Sequence, residues 1–275
     1  MRRLLPLLLP LLALLTASCS FYGPQRRHFR SNLVEYLYPE GTPSVAGLAR
    51  LQLPLKVGIA FVPTTPQPLD AIQEQRLLNI VRKAFLGRDW VGQIQVIPSN
   101  YLEPRGGYAN LAQVSQLMDV DVIALVSVDQ IQYSDPTMLS ILYISVIGEY
   151  LLPGDRNDTR TMIDVAVVDV GSRAFILRAP GTSRISGMST PVEAERKLRL
   201  KSDEGLRLAM LDLTKNLDAA VASFKASVAA GEREDVDIIT REGKSVKAGG
   251  SFDGATAVIL LIVVAASFVP VRKGR

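Results

Sequence analysis

The residues able to do chemistry are few. The 275-residue chain carries one cysteine, Cys19, and one histidine, His28. A single thiol excludes an intrachain disulfide. A single imidazole excludes a multi-histidine metal site and any Ser-His-Asp triad built on another histidine. Carboxylates remain. Asp119, Asp121, Asp129 and Asp135 form the densest acidic cluster, and a pair of them would serve general acid–base work in a hydrolase. The plainer reading is that strand ends and turns carry Asp routinely. Asp164 and Asp169 are an odd number of residues apart, so they face opposite sides of one strand and form no acid pair. The sequence has no Gly-x-Ser-x-Gly elbow, no phosphate-cradling loop and no Cys/His metal spacing, and Gly106-Gly107 lacks the spacing of a dinucleotide fingerprint. No catalytic, cofactor-binding or metal-binding residue is assigned, and no cofactor is expected.

Charge narrows the partners. The chain is formally +4, which would invite a nucleic-acid reading if the excess lay on the body. It lies in the ends. Of 31 basic residues, Arg2 and Arg3 precede position 19 and Arg272, Lys273 and Arg275 follow position 250; of 27 acidic residues only Asp253 does. Residues 19–250 therefore hold 26 of each sign, so the basicity belongs to targeting and nucleic acid is not an expected partner.

The N-terminus reads as Met1-Arg2-Arg3, an apolar run from Leu4 to Leu15, and the small residues Thr16-Ala17-Ser18 before Cys19. That is the build of a signal peptide: the run is too short for ~30 Å of hydrocarbon, and Pro6 and Pro10 disfavour a permanent helix. Small residues directly before the sole cysteine resemble a bacterial lipobox, with Thr16 standing where lipoboxes usually have Leu. The resemblance implies diacylglycerol on the Cys19 thiol and cleavage that leaves Cys19 first, with lipoprotein signal peptidase as the processing enzyme. Ser20 rather than Asp after the cysteine implies, by the same resemblance, the outer membrane. The other reading is an ordinary signal peptide cut nearby.

At the far end, Ala255 to Val271 holds no charge and would make a helix of roughly 26 Å, a short but workable span. Arg272-Lys273-Gly274-Arg275 follows at once, which the positive-inside rule puts in the cytoplasm. Just before the span lie Gly249, Gly250 and Ser251. Glycines beside a helix start hold extended backbone at little cost, as an intramembrane protease requires. The ordered trio of Gly-Gly, short apolar helix and basic cluster resembles the GlyGly-CTERM sorting signal, cut by the rhomboid-type protease rhombosortase. The other reading is a flexible joint before a permanent anchor. A lipobox at one end and this tail at the other resemble the rhombotarget lipoprotein family. The resemblance covers the two ends and implies export and maturation.

The expected division is then a lipoprotein signal peptide over 1–18, a tether over 19–50, an extracytoplasmic α/β domain over 51–232, a linker with the Gly-Gly processing site over 233–254, and a transmembrane helix with basic tail over 255–275. The tether assignment rests on Pro24, Pro39, Pro43 and interspersed glycines. Within it, Arg26 to Arg30 with their aromatics would lie on anionic headgroups or in a solvated stalk, and His28 there is a poor catalytic base. From Leu55 to Val62 the pattern is a buried-type strand ended by Pro63. A helix from Asp70 to Leu86 stops at Gly87. A strand near Gln93–Ile97, a short helix over Asn110–Met118 and a strand over Asp121–Ile131 follow, and the β-branched stretch Met138–Leu152 reads as sheet. Thr161–Val170 and Arg173–Ile185 flank Gly171-Ser172 as a hairpin. A helix runs from Pro191 to Ala230 and stops at Gly231, with Leu206, Met210, Leu213, Leu217, Val221, Phe224 and Val228 on one face. Its charged first half, Glu193 to Glu204, either pairs with something or is solvated with internal ion pairs.

These elements predict a single mixed-sheet α/β sandwich with a long C-terminal helix. The arrangement loosely resembles the α/β domains of curli-secretion and penicillin-binding-protein-activator lipoproteins, which bears on architecture alone. The expected function is an exported envelope lipoprotein with a non-enzymatic binding or assembly role, held to a membrane by its lipid and serving an unidentified envelope protein. Two alternatives stay open: an envelope hydrolase using carboxylates, and an inner-membrane component anchored at both ends.

Overall fold

The computed structural model describes residues 25–41, 46–64, 69–136 and 155–240. Cys19, Gly249, Gly250, Ser251, the 255–271 span and the Met138–Leu152 stretch lie outside them. Among the described residues no helix is long and apolar enough to cross a membrane.

The expected α/β class with a mixed sheet and a long helix is present, but the chain forms two compact units where one was expected. The described residues of the first unit are 25–30, 128–136, 155–163 and 182–209; those of the second are 31–127, 164–181 and 210–240, omitting the gaps above. Three long strands and one long helix contribute to both: β5 (Val122–Pro136), β6 (Asp155–Asp169), β7 (Ala174–Ser189) and α4 (Pro191–Ala229). Residues 51–232 contribute to both units.

In the second unit the sheet order is β4-β3-β5-β6-β7, where β3 is Leu55–Phe61 and β4 is Val91–Val96. β3 runs parallel to both neighbours. Its apolar sequence suits a strand covered on both faces. Helix α2 (Ala71–Phe85) joins β3 to β4, starting at a capping box in which Asp70 and Gln73 exchange hydrogen bonds of 2.8 and 3.2 Å. Gly87, with φ 87°, follows its end. Helix α3 (Gly107–Met118) joins β4 to β5 and ends at Asp119 in the left-handed conformation. Gly106 serves as its N-cap, which accounts for the Gly106-Gly107 pair.

Alternation on β5 separates two apolar layers. Ile123 and Leu125 join Leu111 and Val114 of α3 in one buried cluster, together with Tyr36 and Leu37. Val122 belongs to a second cluster with Ala49, Leu51, Ile176 and Val236.

Two expectations about the flanks are corrected. The span expected as tether contains regular elements: β1 (Gln25–Arg30) pairs antiparallel with β5, α1 (Leu33–Leu37) is N-capped by Asn32, and β2 (Ala49–Leu53) forms a sheet. The linker expected over 233–254 contains β8 (Val236–Thr240), the parallel partner of β2. Both β1 and β8 are short, and β1 is almost wholly polar, so backbone pairing rather than an apolar face holds it. The β6–β7 hairpin forms as expected around Gly171-Ser172 and is longer at both ends.

Helix α4 matches the expected Pro191 start and Gly231 stop. Gly231, with φ 73°, lets the Glu232 N–H return to the Ser227 carbonyl at 3.0 Å. Its charged first half takes both expected forms: Glu193 pairs with Arg196 and Lys197 within the helix, while Glu195 receives a bidentate hydrogen bond from Arg27 of β1 at 3.1 and 2.5 Å.

Candidate binding chamber

The apolar stripe of α4 changes character along its length. Met210, Leu213 and Leu217 are buried, whereas Val221, Phe224 and Val228, one to three turns on, are only half-buried. Leu53, Leu55 and Val57 from β2 and β3 and Ile238 from β8 are half-buried too. A packed layer would close over such side chains. Here they line a chamber of about 600 Å³ within the second unit, floored by Val57, Val122, Ala124 and Val167 of the sheet and walled by α2, α4 and the β2–β8 pair. Its size falls in the range of ligand pockets, and its lining is almost entirely aliphatic and aromatic.

Polar groups gather at one edge. Asp89, Trp90 and Lys225 line the chamber, and the Lys225 ammonium sits 4.9 Å from the centroid of the Trp90 ring. Burial among apolar walls, then the neighbouring Arg88 guanidinium, hold the Lys225 pKa below the ordinary lysine value, with Asp218 and Asp89 opposing. Asp218 already accepts a 3.0 Å hydrogen bond from Arg88. Arg233 stacks over Phe224 and is paired with Asp235. Lys225 makes no ion pair among the described residues.

The first unit has a different interior. Asn157, Thr159 and Thr161, alternate residues of β6, are all buried, as is Gln130 of β5. The Gln130 amide donates to Thr161 Oγ1 at 2.8 Å and to the Ser202 carbonyl at 3.2 Å, and its own oxygen accepts from Ser202 Oγ at 2.5 Å. Asn157 donates to Ser189 Oγ at 2.7 Å. Gly205 lies so close to this row that a Cβ there would stand 2.8 Å from Thr161 Oγ1. Asn157 Oδ1, Thr159 Oγ1, Thr190 Oγ1 and Lys201 Nζ have no hydrogen-bond partner among the described residues. Such groups are natural positions for ordered water.

Within the second unit Asp119 and Asp121 both meet Lys56 and do not face one another as an acid pair. Asp119 pairs with Lys56 Nζ at 2.6 Å, and Asp121 accepts from the Lys56 backbone N–H at 3.1 Å; both brace the chain where it enters β5. Asp129, in the first unit, faces His28 at 2.9 Å and Arg30 at 3.8 Å. His28 therefore sits on a paired strand, and the expectation of a mobile tether at that position is corrected. Asp164 binds Arg178 at 2.7 Å, whereas Asp169 caps the hairpin turn at Ser172, in keeping with their opposite facing. No group of three or more His, Cys, Asp or Glu side chains among the described residues has metal-binding geometry. Sequence reasoning missed the chamber, the Trp90–Lys225 contact and Glu74, a buried carboxylate that accepts from Ser99 at 2.8 Å. One wall of the chamber was legible, as the Leu217, Val221, Phe224 and Val228 part of the α4 stripe.

No family model matches the chain, and neither does any curated protein. Among solved structures it is similar to the PelC dodecamer protein from Paraburkholderia phytofirmans, at 10% identity and TM-score 0.27 over 70% of this chain and 97% of that one. It is also similar to a putative neuraminyllactose-binding hemagglutinin homolog from Helicobacter pylori, at 9% identity and TM-score 0.40 over 66% and 96%. A third similar structure is lipoprotein GNA1162 from Neisseria meningitidis, at 13% identity and TM-score 0.25 over 54% and 93%.

Proposed function

We propose that this chain is an exported envelope lipoprotein, anchored through acyl chains on Cys19 and trimmed at Gly249-Gly250, whose α/β body binds a partner without catalysing a reaction. The binding role rests on one observation: the second unit leaves a chamber of about 600 Å³ between its sheet and the end of α4, lined by side chains that offer apolar contact and little else. A pocket of that lining rewards occupancy by burying apolar surface, at roughly 25 cal/mol per Å². The export half of the reading rests on the sole cysteine behind a short apolar run and on the electroneutral span 19–250. In this reading the body faces away from the cytoplasm, on the outer membrane or cell surface.

Intact-mass analysis of the protein recovered from membranes tests the export reading. The expected species begins at acylated Cys19 and ends near Gly249 or Gly250. An intact 251–275 segment on stably exported protein refutes the trimming, and an unmodified Cys19 refutes the lipid anchor. For the body, the test is turnover: activity towards envelope ester or glycan substrates that disappears in Asp129→Asn would replace the binding reading with a hydrolase.

A further inference from the structure

The geometry points to a ligand class for the chamber: a single-chain long-chain carboxylate, its hydrocarbon tail in the apolar space and its carboxylate on Lys225. This rests on the binding reading above. Three observations carry it.

The first is size. At about 600 Å³ the chamber lies within the range of pockets that take one small ligand, and its length along α4 suits an acyl chain.

The second is lining. Apart from Asp89, Lys225 and Thr240, the walls are aliphatic, aromatic or proline residues. They match a hydrocarbon chain and leave the groups of a folded peptide or a sugar without partners.

The third is charge at the edge. Among the described residues the Lys225 ammonium meets the Trp90 face and no ion-pair partner, and of the nearby groups Asp218 is engaged by Arg88. Asp89 is the one opposing carboxylate on the lining. A ligand carboxylate accepting from Lys225 would supply the charge-assisted hydrogen bond that Trp90 cannot, with Arg88 adding favourable potential.

The experiment uses the full chain in nanodiscs of uniform diacyl phosphatidylcholine, with a photoreactive hexadecanoic acid as probe and peptide mapping of the label. Labels are expected in 51–57 and 217–229. Unlabelled hexadecanoate should displace them at about tenfold lower concentration than monopalmitoylglycerol or hexadecylammonium, the preference one charge-assisted hydrogen bond supplies. Lys225→Arg keeps that preference and Lys225→Glu abolishes it. Val221→Trp, its fold checked by circular dichroism, removes the label from both segments. Equal displacement by the neutral or cationic amphiphile overturns the headgroup assignment and leaves the binding reading standing. Label confined to 4–15 and 255–271, unchanged in Val221→Trp, overturns the chamber as a lipid site and the binding reading with it.

Discussion

The first unit buries a row of polar side chains beside Ile163, Leu198 and Leu206, whereas the interior of the second is mainly hydrocarbon. Along β6 the inward positions are Asn157, Thr159 and Thr161 in the first unit, and Val165 and Val168 are among the buried residues of the second. A polar interior is directional: each donor must meet its acceptor, so the parts fix one another, as Gln130, Thr161 and Ser202 do. An apolar interior is tolerant. It keeps its stability where Met210 and Leu213 are fully packed and leaves the Val221–Val228 end open without stranding a polar group. The contrast sets a hydrogen-bonded row in one unit against room for a guest in the other.

The sharpest way to break that comparison is to cut the same helix stripe in two places. Leu213→Ala, at a side chain with no exposure, should cost about 2–5 kcal/mol in urea unfolding. Val228→Ala, on the chamber wall, should cost under about 1 kcal/mol. Equal costs would mean that the wall is packed as tightly as the core.

A smaller effect is expected from the polar interior. Gln130→Leu leaves the Ser202 and Thr161 hydroxyls short of a partner and should cost about 1–3 kcal/mol. Because the residues are one network, the double variant Gln130→Leu/Thr161→Val should cost clearly less than the two singles together. Strict additivity in the double-mutant cycle would dissolve the network into unrelated contacts.

Asp158 gives the first unit a pH dependence. Burial raises its carboxyl pKa, but hydrogen bonds with Arg184 and Arg160 outweigh that and leave it below the ordinary carboxylate value. The unfolded chain therefore takes up this proton first. The contribution is complete above about pH 4 and is lost as pH falls through the lower folded value. Urea midpoints measured from neutral pH downward should fall less steeply below that point in Arg184→Gln than in the wild type; identical slopes would remove the ion pair from the account. The smallest effect belongs to Arg27→Ala. Both partners of the Arg27–Glu195 pair are about half exposed, so ~1 kcal/mol or less is expected, shrinking with added salt.

What the sequence revealed and concealed divides along physical lines. Local signals were legible: Asp70 and Gln73 announce the start of α2, Gly231 ends α4, and Gly171-Ser172 turns the hairpin. The strand β1 was hidden because QRRHFR has no apolar alternation, and its place depends on backbone pairing with residues about a hundred positions away, such as His28 with Ile131. Proline and glycine content then mimicked a tether. The strand β8 was hidden behind Glu232 to Asp235, a charged run that reads as solvated. Of the chamber only the α4 wall was legible, as part of an apolar stripe; the gap itself was not, since it lies between Leu51, Trp90 and Phe224, and no local pattern reports a gap between distant segments. The acidic cluster misled by counting: Asp119 and Asp121 brace Lys56, and Asp129 pairs with His28 and Arg30.

The most direct test of the account is lipid analysis of the mature protein purified from its own membranes, wild type beside Val221→Trp. The account predicts a single-chain carboxylate near one per protein in the wild type and its loss from the variant. The same lipid profile in both proteins, or a wild type carrying none, would contradict it.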